Sequence, residues 1–427
     1  MFDTRAENLD DAWANFELDL PLEPPQFGGM HPFYVDRPGD PSARLTRGLT
    51  RRFSQPPKYF FSGHRGCGKS TELRRLARER SIVGKYWPVH FTIRDEGDIN
   101  NLDFKDVLLA IAGQMYRQYK DYKQDGLPPQ LEREIESWRG KIVEEIKRSS
   151  RLAAIEFEGG LSAFFGNLGL KMKLEPATRT EVRQIIARDV TGLIQLINTL
   201  NTTIFAQEQR WPLILIDDLD KLDLAVAKEI FHDHREAMFQ PNCAIIYTFS
   251  SSLFFSIEYE AIAGYDVFLP NITLHDFGQL TLNPPGYAAM RSFIHKRMDA
   301  QLIAADALDE AVRVSGGVFR ELARIMRAAI DRAGSGDQIT LPHVRGAAAE
   351  IRNEYRRILN QEHRAVLHAV RASKRLDDPN RAAPLLHLLA LLQYADDREV
   401  WWDLHPALVP YLDEYHHEHI GQHTAGA

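Results

Sequence analysis

The chain has 427 residues, room for about two to three domains of ~150 residues each. It is 44% hydrophobic and 26% charged with a formal net charge of -7. These values exclude an intrinsically disordered chain and a surface that is basic throughout, while a local basic patch stays open. Two cysteines, Cys67 and Cys243, exclude a disulfide framework and a cysteine-rich zinc site. The acidic start MFDTRAENLDDAW lacks the features of a signal peptide, and no apolar run is long enough to span a bilayer. The expectation is a cytoplasmic protein.

Residues 1–31 read as an N-terminal arm, acidic and then rich in proline and glycine. A core over 32–282 follows. Tyr59-Phe60-Phe61 and Tyr86 to Ile93 read as strands, and Thr71 to Leu76 as an amphipathic helix. Val107, Ile111, Met115 and Tyr119 are spaced as a helical stripe. Residues 123–209 break this alternation and read as an insertion. Leu131, Ile135, Trp138, Ile142 and Ile146 mark one helix; Val182, Ile186, Val190, Leu193, Ile197, Leu200 and Ile204 mark a second long one. Between them, Ile155 to Glu158 and Leu170 to Leu174 alternate apolar and polar around Gly166-Asn167, which predicts a β-hairpin on a projecting arm.

The core resumes at Trp211 with Pro212-Leu213-Ile214-Leu215-Ile216, the continuous apolar run of a strand buried on both faces. Cys243 to Phe249 is a further strand, and Val267 to Leu274 the last. Residues 283–345 read as a helical lid, 346–415 as a small separate domain, and 416–427 as a polar, His-rich disordered tail.

Gly63-His64-Arg65-Gly66-Cys67-Gly68-Lys69-Ser70 fits GxxxxGK[ST], the P-loop, with a strand before it and a helix opening at its end. Glycines let the backbone curl so that successive N–H groups face phosphate oxygens, and the helix dipole favours the same anion. The pattern predicts that these residues with Thr71 cradle ATP. Lys69 would reach the β- and γ-phosphates and Ser70 would ligate Mg²⁺. Ile214-Leu215-Ile216-Asp217-Asp218 ends a buried strand in two carboxylates, the Walker B pattern. Asp217 is the expected Mg²⁺ residue. Asp218 is the expected group that orients the attacking water, because phosphoryl transfer depends chiefly on positioning and charge. Asp220 and Asp223 read as acids placed to suit a helix dipole.

With Ile245-Ile246-Tyr247-Thr248-Phe249-Ser250 following, the motif order resembles the additional-strand P-loop ATPases of the AAA+ and STAND type. That resemblance implies a three-layer α/β/α parallel sheet with the sensor 1 strand between the Walker A and Walker B strands. Thr248 would be sensor 1, with Ser250 as second choice. Ser315-Gly316-Gly317-Val318-Phe319-Arg320 is similar to the sensor 2 turn, with Arg320 toward the γ-phosphate. Phe33-Tyr34-Val35-Asp36-Arg37 resembles the segment that flanks the adenine in origin-recognition-like AAA+ and STAND proteins, which implies adenine contacts for Tyr34, Val35 and Arg37. Leu385 to Leu392 and Glu399 to Pro406 are similar to a winged-helix domain. The sequence departs from ring-forming AAA+ proteins in having no arginine between Phe249 and Leu274; Arg235 is the substitute at hand.

Three functions follow as expectations. The first is a slow ATP-hydrolysing regulatory switch, a type associated with signalling and prokaryotic defence, with a protein partner at the 153–175 hairpin and a homo-oligomeric state open. The second is a DNA-acting AAA+ protein gripping duplex through the arginines of 345–375, although Glu350, Glu354 and Glu362 interleave with them as on a solvated helix. The third is a nucleotide-binding scaffold. Cys67 is either an oxidation-sensitive thiol or a small residue that fits.

Overall fold

A computed structural model describes residues 4–20, 22–24, 29–123, 126–148, 161–256, 258–262, 264–277, 282–396 and 398–414. The chain divides into two compact units: Met1–Arg44, Ser62–Glu72 and Phe268–Ala427 form one, Leu45–Phe61 and Leu73–Val267 the other. Among the described residues, no helix is long and apolar enough to cross a membrane.

Most of a five-stranded parallel sheet belongs to the second unit: β1 (Lys58–Gly63), β2 (Tyr86–Thr92), β3 (Trp211–Asp217), β4 (Ala244–Phe249) and β5 (Tyr265–Leu269), in the order β2-β3-β4-β1-β5. The fold is α/β, and β4 stands between β3 and β1, as the motif order implied. β1 is buried throughout and β3 in all but its first residue, so their unbroken apolar runs are filled from both faces. β2 pairs with β3 from Tyr86↔Trp211 to Thr92↔Asp217, and β3 with β4 from Leu213↔Ala244 to Ile216↔Tyr247. β5 stops at Leu269, short of the expected Leu274, because Pro270 has no N–H to extend the ladder.

The helix Phe104–Tyr122 packs beside the sheet. Its start is fixed by a capping box in which Asp103 accepts from Lys105 N and Asp106 accepts from Asp103 N. The insertion differs from expectation in three ways. Residues 161–174 form a helix, Leu161–Leu174, not a hairpin arm. The decisive spacing is Phe164, Phe165, Leu168 and Met172, a buried helical stripe, whereas Leu170 and Leu174 are exposed and only mimic a period of two. Phe165 stacks on Trp138 with centroids 6.0 Å apart. The other half of the expected hairpin, Ile155 to Glu158, lies outside the described residues.

The second long helix is in fact two, Pro176–Arg188 and Val190–Glu208, divided at Asp189, whose carboxylate caps the second by accepting from Gly192 N at 3.0 Å. The described helices of the insertion also do not project. Val190–Glu208 lies along β3 and Phe104–Tyr122, and the apolar stripes of these helices join the sheet residues in one core. Burying those stripes is worth about 1.5–3 kcal/mol per large side chain, which an extended arm would forgo.

In the first unit, residues 4–20 carry a short helix, Leu9–Asn15, capped by Asn8. The arm is anchored: Asn15 donates to the Arg297 carbonyl at 2.8 Å, and Arg327 lies 3.5 Å over the Trp13 ring. Helices Pro284–His295, Ala305–Val314 and Phe319–Ala333 follow. Leu341–Ile358, Gln361–Ser373 and Pro379–His387 then lead into an antiparallel hairpin of β6 (Leu391–Ala395) and β7 (Val400–Leu404). Val318, Leu389, Leu392, Tyr394 and Trp401 share a core there, so Trp401 is a packing residue.

Candidate functional site

The P-loop lies in the first unit. Gly66 and Gly68 adopt φ of +80° and +107°, where an L side chain is strained. At Gly66 space forbids a side chain as well: a Cβ would stand 2.2 Å from Arg320 Cβ. Arg320 N donates to the Gly66 carbonyl at 3.2 Å, so the first turn of Phe319–Ala333 is stitched directly to the loop. The Lys69 side chain is buried and donates to the Gly63 and His64 carbonyls at 2.8 and 2.9 Å. Cys67 is buried, Arg65 exposed, and Ser70 and Thr71 half-buried on the first turn of Lys69–Arg78.

Segment 33–37 is locked against the same loop. The Tyr34 hydroxyl donates to Glu72 Oε1 at 3.1 Å, and its carbonyl accepts from Lys296. Val35 is buried. Arg37 is buried too, and donates to the Cys67 carbonyl at 2.5 Å and to the Pro270 carbonyl.

His64 has a role that sequence reasoning did not assign. It is fully buried, and its Nε2 accepts from the Gln393 N–H of β6 at 2.7 Å. Burial, reinforced by the Lys69 charge, pushes its pKa down to about 3, so the ring is neutral and the proton sits on Nδ1. Arg320 is likewise engaged, by Asp19 of the N-terminal arm at 3.0 Å. Only the acidity of the arm hinted at that pair; the partners are 301 residues apart.

The carboxylates lie in the second unit. Asp217 closes β3 and is buried; its Oδ1 accepts from Asp218 N at 2.9 Å. Asp218 adopts φ +71°, a left-handed conformation that Asp tolerates better than most residues. Its carboxylate is paired with Lys221 and, at 3.4 Å, with Arg94. Lys221 was legible at i+3 in the DDLDK run; Arg94, after β2, was not. Oxygens of Asp217, Asp218 and Asp220 lie within 4.8 Å of one another, a donor set that suits a hard divalent cation. Asp223 caps Leu224–Lys228 through Ala225 N, a structural role.

Thr248, on β4, donates to the Ile216 carbonyl at 3.1 Å and accepts from Leu219 N at 2.9 Å. Its hydroxyl therefore braces the turn that presents Asp217 and Asp218. Arg235 donates to the Ile262 carbonyl and lies 4.8 Å over Phe239.

No known protein family matches the chain, and no curated protein does. Among solved structures, the chain is similar to the Drosophila ORC bound to DNA (12% identity, 96% of this chain and 92% of that one, TM-score 0.40). It is similar to Cdc6p from Pyrobaculum aerophilum (10% identity, 90% and 98%, TM-score 0.38). It is also similar to the RuvB Holliday junction branch migration motor of Thermotoga maritima (12% identity, 89% and 95%, TM-score 0.34). Likenesses this distant leave the chemistry to be argued from the chain's own residues.

Proposed function

We propose that this chain is an ATP-binding and ATP-hydrolysing molecular switch of the AAA+ or STAND type. The observation that carries the reading is the build of the P-loop: three glycines, Gly63, Gly66 and Gly68, at positive φ, Lys69 buried with its ammonium turned onto the loop, and a helix opening at Lys69. Together these make an anion cradle for a polyphosphate. Asp217 would hold Mg²⁺, which when bound offsets the phosphate charge. Asp218 orients and polarises the attacking water. Thr248 keeps Asp217 and Asp218 in place rather than touching nucleotide itself. Arg320 would answer the γ-phosphate, and its attachment to both Gly66 and Asp19 makes it the joint through which the loop and the lid helices respond together.

Two features support a switch over a DNA-gripping machine. His64 ties the P-loop to β6 of the C-terminal segment, so a change at the loop is felt there. Some of the basic residues of 345–375 are engaged within the chain: Arg352 and Arg356 pair with Glu414, Arg371 with Asp413, and Lys374 with Asp403.

The test is steady-state ATP hydrolysis by purified protein, with and without duplex DNA, beside Lys69→Ala and Asp218→Asn. Slow turnover that both substitutions abolish and DNA does not change is the expected result. Strong stimulation by DNA would replace the switch with an initiator or loader. ATP binding without any turnover would favour a scaffold.

A further inference from the structure

Arg37 is a buried cation that Glu72 steadies only through its field. The residue is 8% exposed, and among the described residues it forms no ion pair. Burial lowers its pKa, with the fields of Cys67, Glu72 and Tyr34 opposing that shift. Its Nε is buried with no hydrogen-bond partner. A guanidinium is costly to bury on these terms, so its position calls for a compensating role. Resemblance alone would place it beside the adenine. The geometry shows it engaged elsewhere.

Nη1 donates to the Cys67 carbonyl at 2.5 Å, Nη2 donates to the Pro270 carbonyl, and the guanidinium lies 5.5 Å from the centre of the Phe319 ring. The fork is thus held at two backbone points and by a ring face, a fixed geometry that lysine cannot copy. A trans peptide is planar, with its C=O and N–H pointing opposite ways. By holding the Cys67 carbonyl, Arg37 turns the Gly68 N–H to the face of the loop away from itself. Gly68 at φ +107° accepts that orientation, and a Cβ there would meet only Arg37 Nη1 at 3.5 Å and Phe319 at 3.7 Å.

We infer that Arg37 is a positioning residue for phosphate: it orients the Cys67–Gly68 peptide so that an N–H faces the anion, and it sets a buried positive charge behind the loop. This rests on the reading of the loop as a polyphosphate site. The ligand chemistry concerned is the phosphate chain, not the base. The two contributions separate by substitution. Arg37→Lys keeps the charge and loses the two-carbonyl clamp; Arg37→Gln keeps one donor and loses the charge.

The test measures displacement of a fluorescent ATP analogue from the full chain by ATP and, separately, by tripolyphosphate, which has no base. Circular dichroism and thermal melting check the fold of each variant, and Lys69→Ala runs in parallel. The inference expects Arg37→Gln to weaken both ligands by the same factor, about ten- to a hundredfold, with Arg37→Lys in between. Weakening of ATP alone would assign Arg37 to the adenine and overturn the inference, as would wild-type affinities in both variants. Should Arg37→Gln fail to fold, Arg37→Lys alone decides between these outcomes. If Lys69→Ala binds both ligands as wild type does, or tripolyphosphate does not displace the analogue from the wild type, the phosphate reading of the loop fails first, whatever Arg37 does.

Discussion

The P-loop and the carboxylate turn after β3 both hold residues at positive φ, but by opposite means. The loop places glycines there and packs Arg320 so closely on Gly66 that nothing larger fits at that position. The turn places Asp218 itself at φ +71° and keeps it there with the bracing hydroxyl of Thr248 and with charges from Lys221 and Arg94, the latter half-exposed. The loop is thus shaped by backbone and packing, as suits a cradle that must always have one form. The turn is shaped by side-chain bonds, to the buried Thr248 hydroxyl and to the partly solvated Lys221 and Arg94, and the latter two rearrange at little expense. The difference teaches where rigidity and where adjustability were placed.

The comparison breaks most visibly at Gly66. Gly66→Ala meets both the strained φ and the Arg320 contact, and should lose about 3 kcal/mol in chemical denaturation together with ATP binding. A near-neutral result would mean that the loop is not packed as described. The mirror experiment is Asp218→Gly. It relieves the left-handed strain, so stability should move by no more than about 1 kcal/mol, while turnover falls about a hundredfold or more. A large loss of stability there would make the turn as rigid as the loop.

The loop's dependence on burial is also readable by pH. His64 has a folded pKa of about 3, below its ordinary 6.5. The folded state therefore binds fewer protons than the unfolded one, and this contribution to stability is complete above about pH 6.5 and lost as pH falls toward 3. Between pH 7 and 5 the wild type should lose about 2 kcal/mol from this ring. His64→Gln, which keeps an acceptor for the Gln393 N–H, should lose that much less over the same interval. His90, pushed down to about 4 by burial, contributes in the same direction in both proteins. The smallest effect is expected at Asp19, which is well exposed. Asp19→Asn should leave melting nearly unchanged, by less than about 1 kcal/mol, and raise ATP affinity a few-fold by releasing Arg320. Unchanged affinity would detach Arg320 from the ligand.

What the sequence disclosed follows from the range of each signal. The P-loop and the strands β1 to β4 are written in contiguous residues: a glycine spacing, or an apolar run deep enough to be buried on both faces. The helix Leu161–Leu174 was misread because Lys171 and Lys173 flank Met172, a local alternation that the longer stripe from Phe164 to Met172 overrides. Asp189 divides two helices because its side chain caps the second, a choice that periodicity alone does not reveal. The contacts of the site residues were least legible. Arg37 with Cys67 and Pro270, His64 with Gln393, Asp218 with Arg94, and Arg320 with Asp19 all join segments far apart in the chain.

The central claim is that the loop binds and the carboxylate turn turns over. It is tested most directly by measuring equilibrium ATP affinity in Asp218→Asn beside Lys69→Ala. The account predicts that Asp218→Asn holds ATP within about threefold of wild type and that Lys69→Ala weakens it by about tenfold or more. Wild-type affinity in Lys69→Ala, or equal loss in both variants, would contradict it.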